Sequence, residues 1–125
     1  MLYPEGNSIQ SIGDVNRRIL VDRIKRFIEE RLPDPGLSPN VIADAHHISL
    51  RYLHRLFETQ ERTVAAWIRY RRLENCRCDL MNPAVQWRPV ASIAARWGLT
   101  DSASFNRMFR AEYGMPPGEF RRICA

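Results

Sequence analysis

The sequence predicts an all-α fold of about seven helices, arranged as two helix-turn-helix subdomains joined by a long linker helix. Three observations carry this. Apolar residues recur at helical spacing along most of the chain, and no window alternates convincingly at period two. N-cap residues and helix breakers fall between the apolar runs at short intervals. A five-residue pattern also occurs twice: LHRLF at 53–57 and FNRMF at 105–109, each apolar, polar, Arg, apolar, Phe.

Residues 1–13 hold turn formers without a period and read as a flexible leader. From Asp14 to about Leu32, the positions Ile19, Leu20, Arg23, Ile24, Phe27, Ile28 and Leu32 recur at helical spacing, and the PDPG stretch at 33–36 stops that helix. Ser38 followed by Pro39 is an N-cap with Pro at the first helical position, and a short helix runs to Ala45. Ser49 caps the next helix, to about Gln60, with Leu50, Leu53, Leu56 and Phe57 as its apolar stripe. Thr63 caps a longer one ending at Asn82-Pro83, with Val64, Trp67, Ile68, Leu73, Cys76, Leu80 and Met81 inward. At 1.5 Å per residue this linker helix is about 28 Å long. Pro89 opens a short helix that Gly98 ends, Thr100 or Asp101 caps another that Gly114 ends, and Pro116-Pro117 starts a last one through Phe120. The division is therefore 14–62 for the first subdomain, 63–82 for the linker helix and 83–125 for the second subdomain.

The repeat is larger than the pattern that reveals it. Ile42-Ala43 aligns with Ile93-Ala94, His47 with Gly98 and Ser49 with Thr100; beyond the turn Leu53, Arg55 and Phe57 align with Phe105, Arg107 and Phe109. Each copy reads as a short helix, a tight turn and a capped second helix, a layout whose second helix can lie in a DNA major groove. The face opposite the apolar stripe carries Arg51, His54, Arg55 and Glu58 in the first copy. In the second it carries Ala103, Asn106, Arg107 and Arg110, with Ser102 near the helix start. Arg can bind guanine in a bidentate way and Asn can do the same for adenine. The helix starts at Ser38, Ser49 and Pro89 offer N–H groups to phosphate, and Arg72, Arg88 and Arg110 are further phosphate candidates.

Charge follows the same division. Residues 1–36 hold six cations and six anions, so the whole net charge of +5 lies in the part that contains the repeat. No apolar run is long enough to cross a membrane, and the N-terminal stretch has neither the basic nor the apolar region of a secretory signal. The three cysteines, Cys76, Cys78 and Cys124, have no disulfide-like spacing. A cytoplasmic protein is expected. His46, His47, Cys76 and Cys78 match no standard zinc spacing, so no metal or other cofactor is expected, and Cys76 reads as a buried thiol on the inward face of the linker helix. No nucleophile, base and orienting group suggest an active site, so an enzyme is not expected. The remaining alternative to DNA binding is a helical protein-interaction domain with a basic face.

The stretch IAARWGLTDSASFNRMFRAEYGMPPGEFR resembles the signature of the AraC/XylS family of bacterial transcription regulators, in their C-terminal DNA-binding domain. Ile93, Ala94, Gly98, Asp101, Phe105, Arg107, Phe109, Arg110, Gly114, Pro117, Phe120 and Arg121 match it in fixed register; Ala43, Ser49, Leu53, Arg55 and Phe57 match the family's weaker first motif. The resemblance covers about residues 18–122. It implies a homeodomain-like pair of helix-turn-helix units that bind double-stranded DNA, as activator or repressor, with RNA polymerase as a further partner. Base contacts then fall on Arg51, His54 and Arg55, and on Ser102, Ala103, Asn106 and Arg107. It also implies a separate N-terminal effector or dimerisation domain, which no part of this sequence encodes, so a truncated chain is expected. The sequence departs from the pattern in four places. His47 replaces a turn glycine, Glu61-Arg62 replaces the glycine after the first recognition helix, Leu99 replaces an aromatic residue, and Ala103 replaces a small hydroxyl residue. Ala103 can offer only apolar contact, so the second copy is expected to be the better family match and the poorer base reader.

Overall fold

A computed structural model describes residues 5–124, with side-chain environments described from residue 12 onward. The described residues form seven α-helices and no strand: α1 (Glu5–Arg31), α2 (Pro39–Ala45), α3 (Leu50–Leu56), α4 (Val64–Met81), α5 (Val90–Arg96), α6 (Ser102–Tyr113) and α7 (Pro117–Cys124). One-turn 3₁₀ segments follow α3, at Phe57–Thr59, and α4, at Pro83–Val85. The all-α expectation and most of the caps hold. Ser38, Ser49, Thr63 and Asp101 each accept a hydrogen bond from the backbone N–H three residues on.

Three expectations change. The first helix begins at Glu5 rather than Asp14, so the leader expected over 1–13 overlaps α1, and residues 1–4 lie outside the described residues. Its core stripe is Val21, Ile24, Ile28 and Leu32, whereas Ile19 is exposed. Period alone could not choose between two offset stripes on one helix; the docking of α2 chose. Met81, expected inward, is also exposed: its neighbour Leu80 is fully buried, and at 100° per residue Met81 points off the Leu73-Cys76-Leu80 stripe.

Among the described residues there are two hydrophobic cores. One joins α1, α2, α3 and the start of α4 through Ile24, Ile28, Ile42, Leu53, Phe57, Val64 and Ile68, among others. The other joins the end of α4 to α5 and α6 through Leu73, Cys76, Leu80, Ile93, Ala94, Phe105 and Phe109, with Phe120 of α7 packed against it. The linker helix is thus a shared wall rather than a bare spacer. At 100° per residue, its stripe Val64-Ile68 and its stripe Leu73-Cys76-Leu80 face directions about 130° apart. Burial pushes the Cys76 thiol up to about 12, so it acts as a small apolar packing group.

Candidate nucleic-acid interface

The two turns have the same hydrogen bonds. Ile48 N donates to Ala43 O at 3.0 Å and Leu99 N donates to Ala94 O at 3.0 Å. His46 N reaches Ala43 O as Trp97 N reaches Ala94 O, and His47 N reaches Asp44 O as Gly98 N reaches Ala95 O. Ile42 and Ile93 are both fully buried, as are their neighbours Ala43 and Ala94. Each second helix is therefore held at one angle by the same means: a short helix pinned in the core, a left-handed turn residue, and a side-chain N-cap.

The turns differ in how that left-handed residue is accommodated. His47 has φ 56° and is exposed, with room for its side chain. Gly98 has φ 84° and is buried: a Cβ there would stand 2.8 Å from Leu32 O and 2.9 Å from Arg72 Nη2. The recognition helices also end differently. Gly114, at φ 82°, ends α6. In the first copy, where Glu61-Arg62 replaces the glycine, α3 tightens into the 3₁₀ turn and leaves it at an extended Gln60. Lys25, the only lysine, holds that end by donating to Gln60 Oε1 at 3.0 Å and lying over the Trp67 ring.

Every expected base reader is exposed: Arg51, His54 and Arg55 on α3, and Ser102, Ala103, Asn106 and Arg107 on the first two turns of α6. Ser49, Arg51, Tyr52 and Arg55 border a surface depression of about 400 Å³. Ser102 and Asn106 border another of about 290 Å³. On α6 the expected reader Arg107 is braced. Its Nη2 donates to Ser104 Oγ at 3.2 Å, and that hydroxyl donates to the N-cap carboxylate of Asp101. These hydrogen bonds from Ser104 hold the Asp101 carboxyl below its usual range. The 101–104–107 spacing, each three residues on, was the sequence signal for this brace.

The phosphate candidates divide. Arg110 is exposed, and the Ser38 and Ser49 hydroxyls, which accept at their caps, keep a proton to donate. Arg88 is half-buried, stacked on Trp87 with its guanidinium carbon 4.8 Å from the ring centroid, and its carbonyl accepts from Arg121 Nη1. Arg72 is not a phosphate contact. It is 9% exposed, its Nε donates to Leu32 O at 3.1 Å and its Nη2 to Asp34 O at 2.6 Å. Burial lowers its pKa, which the nearby Asp34 charge opposes. Its position on the seam between the two α4 stripes turned it inward, which charge alone could not foretell.

The wider comparison agrees with this arrangement. A protein family described as a helix-turn-helix domain matches residues 42–123. Over 118 residues the chain is 34% identical to the transcriptional activator NphR of a Rhodococcus species, covering 94% of this chain and 34% of that protein. It is 31% identical over 107 residues to the regulatory protein SoxS of Escherichia coli K12, covering 85% of this chain and 95% of SoxS. The chain belongs to the AraC/XylS family.

A solved AraC-type transcriptional regulator from Chromobacterium violaceum shares the fold, with a TM-score of 0.77 at 20% identity over 89% of this chain and 96% of that one. The chain spans about a third of the length of NphR. In this AraC/XylS domain the signature positions Ile93, Ala94, Gly98, Phe105, Phe109 and Pro117 are buried and Phe120 is half-buried, whereas Arg107 and Arg110 are exposed. Arg121, which also matches, is structural: it donates to Val85 O and Arg88 O and ties α7 to the connector before α5.

Proposed function

We propose that this domain recognises one asymmetric, bipartite DNA site for a transcription regulator, with α3 and α6 entering successive major-groove segments about 34 Å apart on one face of the duplex. The observation that carries the reading is the pair of equal turns presenting Arg55 and Arg107 at matching, exposed positions. Arg51, His54 and Arg55 read one half-site; Ser102, Ala103, Asn106 and Arg107 read the other. Arg110, Arg88, Ser38 and Ser49 contribute sequence-independent phosphate contacts. The two faces differ in sequence, so the half-sites differ and dimer symmetry is not required. The reading needs no metal, cofactor or catalytic group. Effector binding, dimerisation and contact with RNA polymerase belong to the same proposal, for a protein of the relatives' length.

Selection of bound duplexes from a random library tests it. Two enriched blocks one helical turn apart are expected, with affinity falling steeply as salt rises. A single block removes one copy from base reading. Equal binding to all duplexes, or capture of an acidic protein with no duplex preference, rejects the proposal.

A further inference from the structure

We propose that Arg72 is a positioning residue that sets the half-site spacing this domain accepts. The inference rests on the bipartite reading above. The two recognition helices belong to separate cores, so their relative placement depends on what crosses the seam. The apolar packing there is incomplete: a cleft of about 290 Å³ opens between Leu37, Ile68, Leu99 and Met108, with Arg72 along its wall. Trp97 packs against both cores, and Arg62 pairs with Glu112 at the surface at 3.5 Å. Beneath that surface pair, the buried contact between them is the Arg72 fork. It stands on α4, takes the carbonyls of Leu32 and Asp34 at the end of α1, and lies beside Gly98 in the turn before α6, where a Cβ would stand 2.9 Å from its Nη2 and 3.0 Å from its Cζ. Three segments far apart in sequence converge on one planar group.

The fork suits this task. Leu32 O is among the carbonyls that α1 cannot satisfy internally, and a cation at that end also favours the helix dipole. A planar guanidinium with two donors in fixed directions resists rotation, which a single ammonium does not. Gly98 brings the second copy close beside the same group, so a swing of copy two about α4 would break that approach. One added base pair moves a half-site by about 3.4 Å along the axis and turns it by about 35°. A joint held on three sides rejects that displacement.

The test uses a duplex selected by the wild-type chain, versions with the spacer one base pair shorter or longer, and duplexes keeping one half-site. Wild type should prefer one spacing by about tenfold or more. Arg72→Met, which keeps the stem and removes the fork, should bind single half-sites within about twofold of wild type. It should lose about tenfold on the best bipartite site, and its preference among spacers should fall to about threefold or less. Arg72→Lys keeps the charge without the fork and should behave like Arg72→Met. An equal loss on every duplex, half-sites included, makes Arg72 merely structural and overturns the inference, as does an unchanged spacer profile. Wild type accepting all spacings equally overturns it even if both variants unfold, while leaving base reading by each half intact. Wild type selecting no duplex overturns the DNA reading and the inference together.

Discussion

The two helix-turn-helix copies share their turn hydrogen bonds, yet one closes with an exposed histidine and the other with a buried glycine. The difference separates two demands that a turn glycine can meet. At residue 47 the chain needs only a positive φ, which histidine tolerates better than most side chains. At residue 98 it needs positive φ and an empty Cβ position, because Leu32 O and the Arg72 guanidinium occupy that space. The first turn faces solvent; the second is part of the seam that joins the copies.

The largest effect that would sharpen this contrast is expected from Gly98→Ala. The left-handed penalty and the displaced carbonyl together should lower unfolding free energy by about 2–4 kcal/mol in urea titration. A loss as small as that of a strain-only site would mean that the Cβ contact is unimportant. On the binding side, Arg55→Ala should cost about 1–3 kcal/mol and relax base choice at one position. Asn106→Ala in the second copy should cost less if Ala103 makes that copy the weaker reader. Gly114→Ala supplies the control for strain alone. Its φ is 82°, but nothing lies within 4 Å of the added Cβ, so a loss of about 1 kcal/mol is expected. His47→Gly should leave stability within about 1 kcal/mol of wild type, since relief of strain offsets the added freedom of the unfolded chain.

The smallest effect concerns acid. Glu74 accepts from Arg77 at 3.0 Å and from the Tyr113 hydroxyl, tying the end of α6 to α4, whereas at the end of the first recognition helix Lys25 donates to the amide of Gln60 and no carboxylate takes part. Hydrogen bonds from Arg77 first, then Tyr113, hold the Glu74 carboxyl below its ordinary range against opposing desolvation. A depressed carboxylate stabilises the fold above its unfolded-state value, about 4.3, and that contribution is lost as pH falls through the lower folded value. Glu74→Gln should therefore flatten the loss of stability between about pH 5 and pH 2. Parallel curves for the variant and wild type would show that this carboxylate does not couple the second copy to pH.

The outward placement of the candidate interface residues was legible locally. Arg55 and Arg107 are outward because Leu53, Leu56 and Phe57, and Phe105, Met108 and Phe109, point the other way at fixed helical spacing. The caps at Ser38, Ser49, Thr63 and Asp101 were legible because each is satisfied within three residues. Glu61-Arg62 correctly marked an irregular end to the first recognition helix, since no glycine was there to enter the left-handed region. The stripe of α1 and the fate of Arg72 were not legible, because both depend on partners distant in the chain.

Short-range periodicity, capping and the duplicated turn by themselves determined the seven helices, their order and the outward faces of the two turn-following helices, since the interactions that set those features span only a few residues. The tertiary structure alone decided that residues 32, 34, 72 and 98 meet. That meeting turned one arginine from a surface cation into the joint between the copies. It also made glycine necessary in one of two otherwise equal turns, because a Cβ there would occupy space already filled by a carbonyl and a guanidinium.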